Sequence, residues 1–285
     1  MMTAETSPIT VHVPAKVNVA LHVVGQRDDG YHLLDSLVAF TEAGYDRLDV
    51  MFGSGCATPE LTASGPFAAA LPAPADNAVM AAARAVGGIR AIHLTKGLPV
   101  ASGLGGGSAD AAAVLRAAVT AGRLRESDAF ALAASLGADV PVCLLGRACR
   151  MRGIGETLSP LPCAALPVVL VNPGVEVSTR AAFSRLARKD NAGVPCTDLA
   201  TASAAIATME ATRNDLMAAA FVGTPVVPAV LRAVTDAPGC AFARMSGSGA
   251  SVFGIFADDA AARAAAADIA EAHGWWTSAT RLAPA

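Results

Sequence analysis

A run of glycine and serine residues leads directly into an alanine-rich segment at residues 99–113, PVASGLGGGSADAAA. Glycine at 103, 105, 106 and 107 allows the backbone to adopt positive φ angles and to turn several N–H groups toward one point. Ser108 suits the N-cap of a helix over about 109–121, with Gly122 as its stop. The pattern predicts a phosphate site at the positive end of a helix. A glycine-rich surface turn is the alternative.

Two well-known phosphate loops do not fit this segment. A Walker A loop ends in Gly-Lys-Ser/Thr, whereas this loop continues into Ser108 and Ala109 without a lysine. The dinucleotide fingerprint begins correctly at Gly103 and Gly105 but requires a third glycine where Ser108 stands. The segment is therefore neither a Walker A loop nor a dinucleotide-binding fingerprint.

A lysine interrupts the apolar strand pattern VPAKVNVALHVV near the N-terminus. Burying an ammonium group is costly without a partner, so Lys16 is expected to face an anion. Asn18 points to the same face of the strand because side chains alternate. A solvated lysine on an edge strand is the alternative interpretation.

The composition limits the function classes. The chain has 285 residues, 53% of them hydrophobic and 16% charged, which predicts a globular protein of two domains. A net charge of −3 and only three lysines argue against nucleic acid and anionic membranes as partners. The six cysteines show no zinc spacing, and the N-terminus shows no export signal, so we expect reduced thiols in a cytoplasmic protein.

The order of apolar segments predicts a mixed α+β fold. In the first half we expect five strands, at 9–13, 17–24, 33–40, 47–52 and 89–95. Besides the helix after the glycine loop, we expect helices at 77–86 and 127–136. A buried strand is expected at 140–145, and a hairpin at 148–152 with 155–158. A domain boundary is placed at the prolines near 160, which gives domains 1–162 and 163–285. In the second half we expect strands and helices at 167–171, 178–188, 197–211, 214–221, 226–236, 240–245, 251–256, 259–272 and 276–282.

Three short motifs together resemble those of the GHMP small-molecule kinases. They are PAKVN at 14–18, GLGGGSADA at 103–111 and MSGSGAS at 245–251, and their order and spacing match over the whole chain. The resemblance implies two α+β domains, the first like domain 2 of ribosomal protein S5 and the second ferredoxin-like. It also implies ATP as phosphate donor, with Mg²⁺ to neutralise its charge. Residues implied to contact ATP are Pro99, Gly103, Leu104, Gly105, Gly106, Gly107, Ser108 and Asn77.

Two further segments, GQRDDGYH at 25–32 and GADVP at 137–141, resemble one group of these kinases. That group phosphorylates the 2-hydroxyl of 4-diphosphocytidyl-2-C-methyl-D-erythritol, an isoprenoid precursor of the non-mevalonate pathway. The resemblance implies Asp139 as catalytic carboxylate, paired with Lys16. It implies that the remaining site residues contact this small-molecule substrate: Asn18, Tyr31, His32, Phe183, Gly247 and Ser248.

Simpler roles remain open for several of these residues. Asp139 could cap a turn, Phe183 could belong to the core, Asn77 could be a plain N-cap, and 247–249 could be a hairpin turn. Another GHMP enzyme, such as a homoserine or mevalonate kinase, and a non-catalytic nucleotide-binding module are the competing functions. The sequence assigns no metal ligand, no role for Asp110 and no oligomeric state.

Overall fold

The computed structural model describes residues 7–53 and 58–283. Ten strands are found in this part of the chain: β1 (Ile9–Gln26), β2 (His32–Phe52), β3 (Glu60–Ser64), β4 (Ile89–Thr95), β5 (Cys149–Gly153), β6 (Thr157–Pro160), β7 (Pro167–Asn172), β8 (Cys240–Met245), β9 (Val252–Phe256) and β10 (Trp276–Arg281). Nine α-helices accompany them in the same residues: α1 (Ala78–Val86), α2 (Gly106–Thr120), α3 (Glu126–Leu136), α4 (Val140–Leu145), α5 (Thr179–Ser184), α6 (Ala202–Glu210), α7 (Met217–Gly223), α8 (Val227–Thr235) and α9 (Asp259–His273).

The chain forms two compact units, and each is built from separate stretches of sequence. Unit 1 contains Met1–Ala15, Gly44–Val100 and Gly106–Leu145, and unit 2 contains Lys16–Ala43, Ala101–Gly105 and Gly146–Ala285. The long strands β1 and β2 contribute one end to each unit. The domain limits 1–162 and 163–285 stay a prediction.

Unit 1 holds helices against a small sheet. The end of β2 pairs antiparallel with β4, and β3 lies parallel to β4. Helices α1, α3 and α4 pack along α2. The central residues Ala111, Ala112 and Ala113 of α2 are buried, and their small side chains allow the neighbouring helices to approach closely.

Unit 2 is dominated by an antiparallel sheet in the order β10-β7-β9-β8. Helix α9 packs on β7 and β10, and α8 packs on β8 and β9. Strand β9 is buried along its whole length, and its apolar side chains join a core that includes Val169, Val230 and Ile269. The beginning of β2 pairs with β5, which forms a hairpin with β6.

The structure confirms most predicted elements and corrects several. Residues 140–145 form helix α4 rather than a strand, because a short apolar run fits either state and Pro141 is favourable in the first turn of a helix. The four early strands merge into β1 and β2, and β3 was not predicted. The helices predicted at 178–188 and 197–211 are shorter, as α5 and α6.

The start of α2 also differs from the prediction. The helix begins at Gly106, so Ser108 is its third residue and not its N-cap. The predicted stop at Gly122 is confirmed, because this residue has φ +66° and its N–H donates to the Val119 carbonyl.

No described helix is long and apolar enough to cross a bilayer. No disulfide joins the cysteines at 143, 149, 163, 196 and 240, and Cys56 lies outside the described residues.

Candidate active site

Lys16 is buried in the middle of β1, with 3% of its surface exposed. Its ammonium donates a hydrogen bond of 3.0 Å to Oδ1 of Asn18, two residues further along the strand. Its backbone N–H donates to the carbonyl of Leu104 at 2.9 Å. The alternative of a solvated edge lysine is therefore wrong, and the shared face of Lys16 and Asn18 is confirmed.

Asn18 is fixed on both sides by serine hydroxyls. Its Nδ2 donates to Ser36 Oγ at 2.9 Å, and its backbone N–H donates to Ser246 Oγ at 3.1 Å. The Ser36 hydroxyl in turn donates to the carbonyl of Ala20. These bonds leave the amide oxygen of Asn18 directed at Lys16, so the position of the ammonium is set by a chain of buried hydrogen bonds.

The glycine-rich loop packs against Lys16 and requires two of its glycines. Gly103 and Gly105 have φ of +79° and +71°, which side-chain-bearing residues rarely adopt. A Cβ on Gly105 would lie 3.0 Å from Cβ of Lys16. A Cβ on Gly103 would lie 2.8 Å from the carbonyl oxygen of Gly249 and closer still to that of Ser246. Two backbone carbonyls therefore leave no room for a side chain at Gly103, and the Lys16 side chain crowds the position at Gly105.

The second glycine-serine loop, residues 246–251, is hydrogen-bonded to the first. Ser246 Oγ donates to the Gly103 carbonyl at 2.9 Å, and the Ser251 N–H donates to the Ser102 carbonyl at 3.0 Å. Asn214 Nδ2 donates to the carbonyls of Met245 and Gly247, at 2.8 Å each. The segment does connect β8 to β9, as the hairpin alternative supposed, but it also supports the glycine-rich loop.

The first residues of α2 differ in what surrounds them. A Cβ on Gly107 would meet no atom within 4 Å, whereas one on Gly106 would lie 3.0 Å from Nζ of Lys96. A Cβ on Gly106 would thus crowd the Lys96 ammonium, whereas Gly107 has open space beside it. The open space beside Gly107 leaves room for close approach by a ligand.

A buried cluster of three charges lies beside Gly106. Lys96 Nζ donates to Asp46 Oδ2 at 2.5 Å and to Asp110 Oδ2 at 2.7 Å, and Asp46 Oδ1 accepts the N–H groups of Gly97 and Leu98. Burial raises the pKa of Asp110 to about 7, and Asp110 Oδ1 has no hydrogen-bond partner. Burial disfavours the charge of Lys96, but Asp110 and Asp46 outweigh it and raise the pKa of the ammonium.

The predicted aromatic pair is brought together in unit 2. The rings of His32 and Phe183 stack with centroids 4.7 Å apart and planes 26° from parallel. Nε2 of His32 is buried without a hydrogen-bond partner, and burial lowers the pKa of the imidazole, with a further lowering from Lys189. Tyr31 is 58% exposed beside them along the chain. A neutral ring stack with an unused nitrogen is suited to holding a flat polar ring.

The other predicted residues have simple local settings. Asn77 is the N-cap of α1, where its Oδ1 accepts the Val79 N–H at 2.9 Å. Ser248 Oγ and Thr179 Oγ1 lie 3.0 Å apart. Asp139 is half-buried immediately before α4 in unit 1, and its carbonyl accepts the N–H of Cys143. Pro99 and Leu104 are buried. Ligand contacts at these positions stay predictions.

Sequence reasoning missed the support that Asn214 and Ser246 give to the glycine-serine loops. It also missed the ion pair of Lys96 with Asp46 beside the start of α2. Lys96 carried a usable signal, because it precedes the glycine-rich loop by a few residues and ends an apolar strand, as Lys16 interrupts one. Asp46 and Asn214 carry no such signal, since their partners are distant in sequence.

Comparison with known proteins identifies the family. The GHMP kinases N terminal domain matches residues 75–147, and the GHMP kinases C terminal domain matches residues 197–274. A 4-diphosphocytidyl-2-C-methyl-D-erythritol kinase of Paracoccus denitrificans is 51% identical over 95% of this chain and 96% of its own length. The enzyme of the same name from Cereibacter sphaeroides is 50% identical over 94% of this chain and 97% of its own.

Solved structures agree with the sequence relatives. A crystal structure of 4-(cytidine 5'-diphospho)-2C-methyl-D-erythritol kinase matches with a TM-score of 0.76 and 33% identity, covering 97% of this chain and 100% of that one. A homoserine kinase from Cytophaga hutchinsonii has a TM-score of 0.67 at 20% identity, covering 100% of this chain and 97% of that one, which shows the shared fold alone. The two-domain α+β fold of the GHMP kinases is thus confirmed. The chain belongs to the GHMP kinases and, among them, to the family of 4-diphosphocytidyl-2-C-methyl-D-erythritol kinases.

Proposed function

We propose that the chain transfers the γ-phosphate of ATP to the 2-hydroxyl of 4-diphosphocytidyl-2-C-methyl-D-erythritol. The observation that carries the proposal is the buried ammonium of Lys16, aligned by Asn18 and packed against Gly105 of the glycine-rich loop. A cation held in this way beside a phosphate loop suits stabilisation of charge on a transferred phosphoryl group. Relatives bearing that enzyme name cover almost the whole chain at about half identity.

ATP is the phosphate donor of the family, and the glycine-rich loop is the proposed site for its phosphates. The backbone N–H groups at the start of α2 and the helix dipole favour an anion there. Open space beside Gly107 fits close approach of the phosphates. The proposed ATP contacts are Pro99, Gly103, Leu104, Gly105, Gly106, Gly107, Ser108 and Asn77. Mg²⁺ is proposed because the triphosphate needs its charge neutralised.

Asp139 and Lys16 are the proposed catalytic residues. A carboxylate that accepts the hydroxyl proton contributes roughly 10²–10⁴ in rate, while alignment of the hydroxyl with the phosphate contributes about 7–11 kcal/mol. Positioning is therefore the larger effect. Asn18, whose amide is fixed by two serines, is proposed to hold the ammonium and contact the acceptor.

The cytidine end of the substrate is assigned to the aromatic pair. Stacking on Phe183 and hydrogen bonding to the unused Nε2 of His32 would hold the base, with Tyr31 nearby in sequence. Gly247 and Ser248 are proposed further substrate contacts, because their loop is supported by Asn214 and Thr179.

The proposal is tested by measuring ADP release with three acceptors in parallel. We expect turnover with the cytidine compound and none with homoserine or mevalonate. Turnover with homoserine alone would assign another GHMP activity, and ATP binding without turnover of any acceptor would indicate a nucleotide-binding module.

Three further expectations stay predictions: a cytoplasmic location, the absence of nucleic-acid partners, and the domain limits 1–162 and 163–285. The matched segments 75–147 and 197–274 are compatible with those limits.

A further inference from the structure

The charge cluster formed by Lys96, Asp46 and Asp110, hereafter the buried triad, is not used by the proposed reaction. Its three side chains come from three parts of unit 1: Asp46 from β2, Lys96 from the residue after β4, and Asp110 from α2. Both ion pairs are almost completely removed from solvent. Breaking such a buried pair is strongly unfavourable, so the three segments are held together at one ammonium.

The triad holds the beginning of α2 in particular. Asp110 is the fifth residue of the helix, and the Lys96 ammonium lies close beside Gly106, its first residue. Asp46 anchors the same ammonium to the chain by accepting the N–H groups of Gly97 and Leu98. The start of the helix is thus tied to the segment that leads into the glycine-rich loop.

The charges of the triad do not balance. One ammonium faces two carboxylates, and the second oxygen of Asp110 is buried with no partner to stabilise a negative charge. The charge of Lys96 lowers the pKa of Asp110, and the charge of Asp46 raises it. The titratable groups on the helices packed against α2 are Arg84, Glu126 and Asp128, at solvent-accessible positions, and the buried thiol of Cys143 on α4. Asp110 is therefore the member that accepts a proton most easily.

An anion bound at the start of α2 would increase this imbalance. The positive end of the helix dipole stabilises negative charge in its first turns, and a polyphosphate and the Asp110 carboxylate would share that stabilisation. A negative charge bound close to the buried carboxylate of Asp110 repels it, which raises the proton affinity of the carboxylate. A neutral carboxylic acid removes the repulsion and leaves the Lys96–Asp46 pair balanced.

We propose that Asp110, held by Lys96, is a positioning residue for the start of α2 and takes up one proton from solvent when the polyphosphate of ATP binds there. The proposal rests on the proposed function. The proton is taken from solvent and binds the carboxylate of Asp110, with no bond broken in the protein. ATP affinity of the wild-type chain is then linked to pH, and falls by up to about tenfold per pH unit as the pH rises above 7.

The test is calorimetric titration of ATP into the full chain at about pH 8, without acceptor, in two buffers of different ionisation enthalpy. At this pH Asp110, with its pKa raised to about 7, is mostly ionised before binding. Subtracting the proton uptake of Asp110→Asn from that of wild type removes the contribution of the protons that ATP itself exchanges. We expect proton uptake approaching one in this difference, and a weaker pH dependence of ATP affinity in the variant. Asp128→Asn, which changes a solvent-accessible carboxylate of unit 1, should behave as wild type.

Equal proton uptake in wild type and Asp110→Asn would overturn the proposal. If Asp110→Asn does not fold, infrared difference spectra of the wild-type chain decide the question, because uptake requires a new carboxylic-acid band on ATP addition and its absence contradicts the proposal. No binding heat with ATP would instead count against the proposed function. Binding heat without extra proton uptake would reject the role of Asp110 alone.

Discussion

Ser246 Oγ donates a hydrogen bond of 2.9 Å to the carbonyl of Gly103, which joins two glycine-serine loops 143 residues apart in sequence. Neither loop is therefore an independent turn. Gly103 cannot carry a side chain because the carbonyls of Ser246 and Gly249 occupy the space of its Cβ. The conformation of the proposed phosphate loop depends on this contact. The glycines of the loop differ in whether packing or ligand binding requires them.

Gly103→Ala and Gly107→Ala should separate the effect on packing from the effect on ATP binding. We expect Gly103→Ala to lower the free energy of unfolding by about 1–2 kcal/mol or more, because its φ is positive and its Cβ meets backbone. Gly107→Ala should keep or slightly raise stability, since alanine favours a helix by about 0.5–1 kcal/mol, yet weaken ATP binding. Urea unfolding and ATP titration measure the two effects. Unchanged ATP affinity in Gly107→Ala would argue against close approach of the phosphates at this residue.

Asp139→Asn should lower kcat by roughly 10²–10⁴ while the affinity for ATP stays near wild type, because a base acts on the acceptor hydroxyl rather than on the nucleotide. Steady-state ADP release and nucleotide titration give the two values. The matched control is Asp128→Asn, whose partner Arg125 forms only a solvent-accessible ion pair. A kcat equal to that of the control would remove Asp139 from the mechanism.

Phe183→Leu should raise KM for the cytidine substrate by about 5–150-fold, which corresponds to the 1–3 kcal/mol of base stacking on an aromatic ring. Leucine keeps an apolar side chain against the unit 2 core, where Phe183 packs, so the melting temperature should change little. The KM for ATP serves as the internal control. A wild-type KM for the cytidine substrate would place Phe183 in the core only.

His22 should make stability depend on pH. Its Nδ1 lies 3.0 Å from the Ala192 carbonyl, and its Nε2 accepts the Arg213 N–H at 3.1 Å, so the buried ring is held neutral. Burial is the main cause that lowers the pKa of this imidazole below 6.5. The unfolded chain then binds more protons, and stability present above about pH 6.5 is lost as the pH falls toward the folded-state pKa.

Urea unfolding at pH 7.5 and 5.5 measures this dependence. The loss of stability on acidification should be smaller in His22→Gln than in wild type. His12→Gln, which alters an exposed histidine on the same strand, should show the wild-type loss. An identical loss of stability on acidification in wild type, His22→Gln and His12→Gln would contradict the assignment of this pH dependence to His22.

The sequence predicts the local features of the site well and the distant contacts poorly. Lys16 and Asn18 share a face because strand alternation operates over two residues, and Asn77 caps α1 because capping is equally local. The contacts of Asn214 with Gly247, and of Asp46 with Lys96, depend on how distant segments pack. No spacing rule connects such pairs.

The error at 140–145 has a similar origin. An apolar run of this length is compatible with a buried strand or a buried helix, and only the packing of α4 against α2 decides between them. The glycine-rich loop shows the opposite case. Its binding role was predicted from residue types alone, but which glycines serve packing and which leave open space becomes clear only from the neighbours of Gly106 and Gly107.

Transfer of labelled γ-phosphate tests the central claim most directly. The chain is incubated with ATP labelled in the γ-phosphate and with 4-diphosphocytidyl-2-C-methyl-D-erythritol, and the position of the label in the product is determined. The account predicts a phosphate monoester on the 2-hydroxyl with wild type, and a rate lower by roughly 10²–10³ with a folded Lys16→Met variant. Label released only as inorganic phosphate, or equal product from wild type and Lys16→Met, would contradict it.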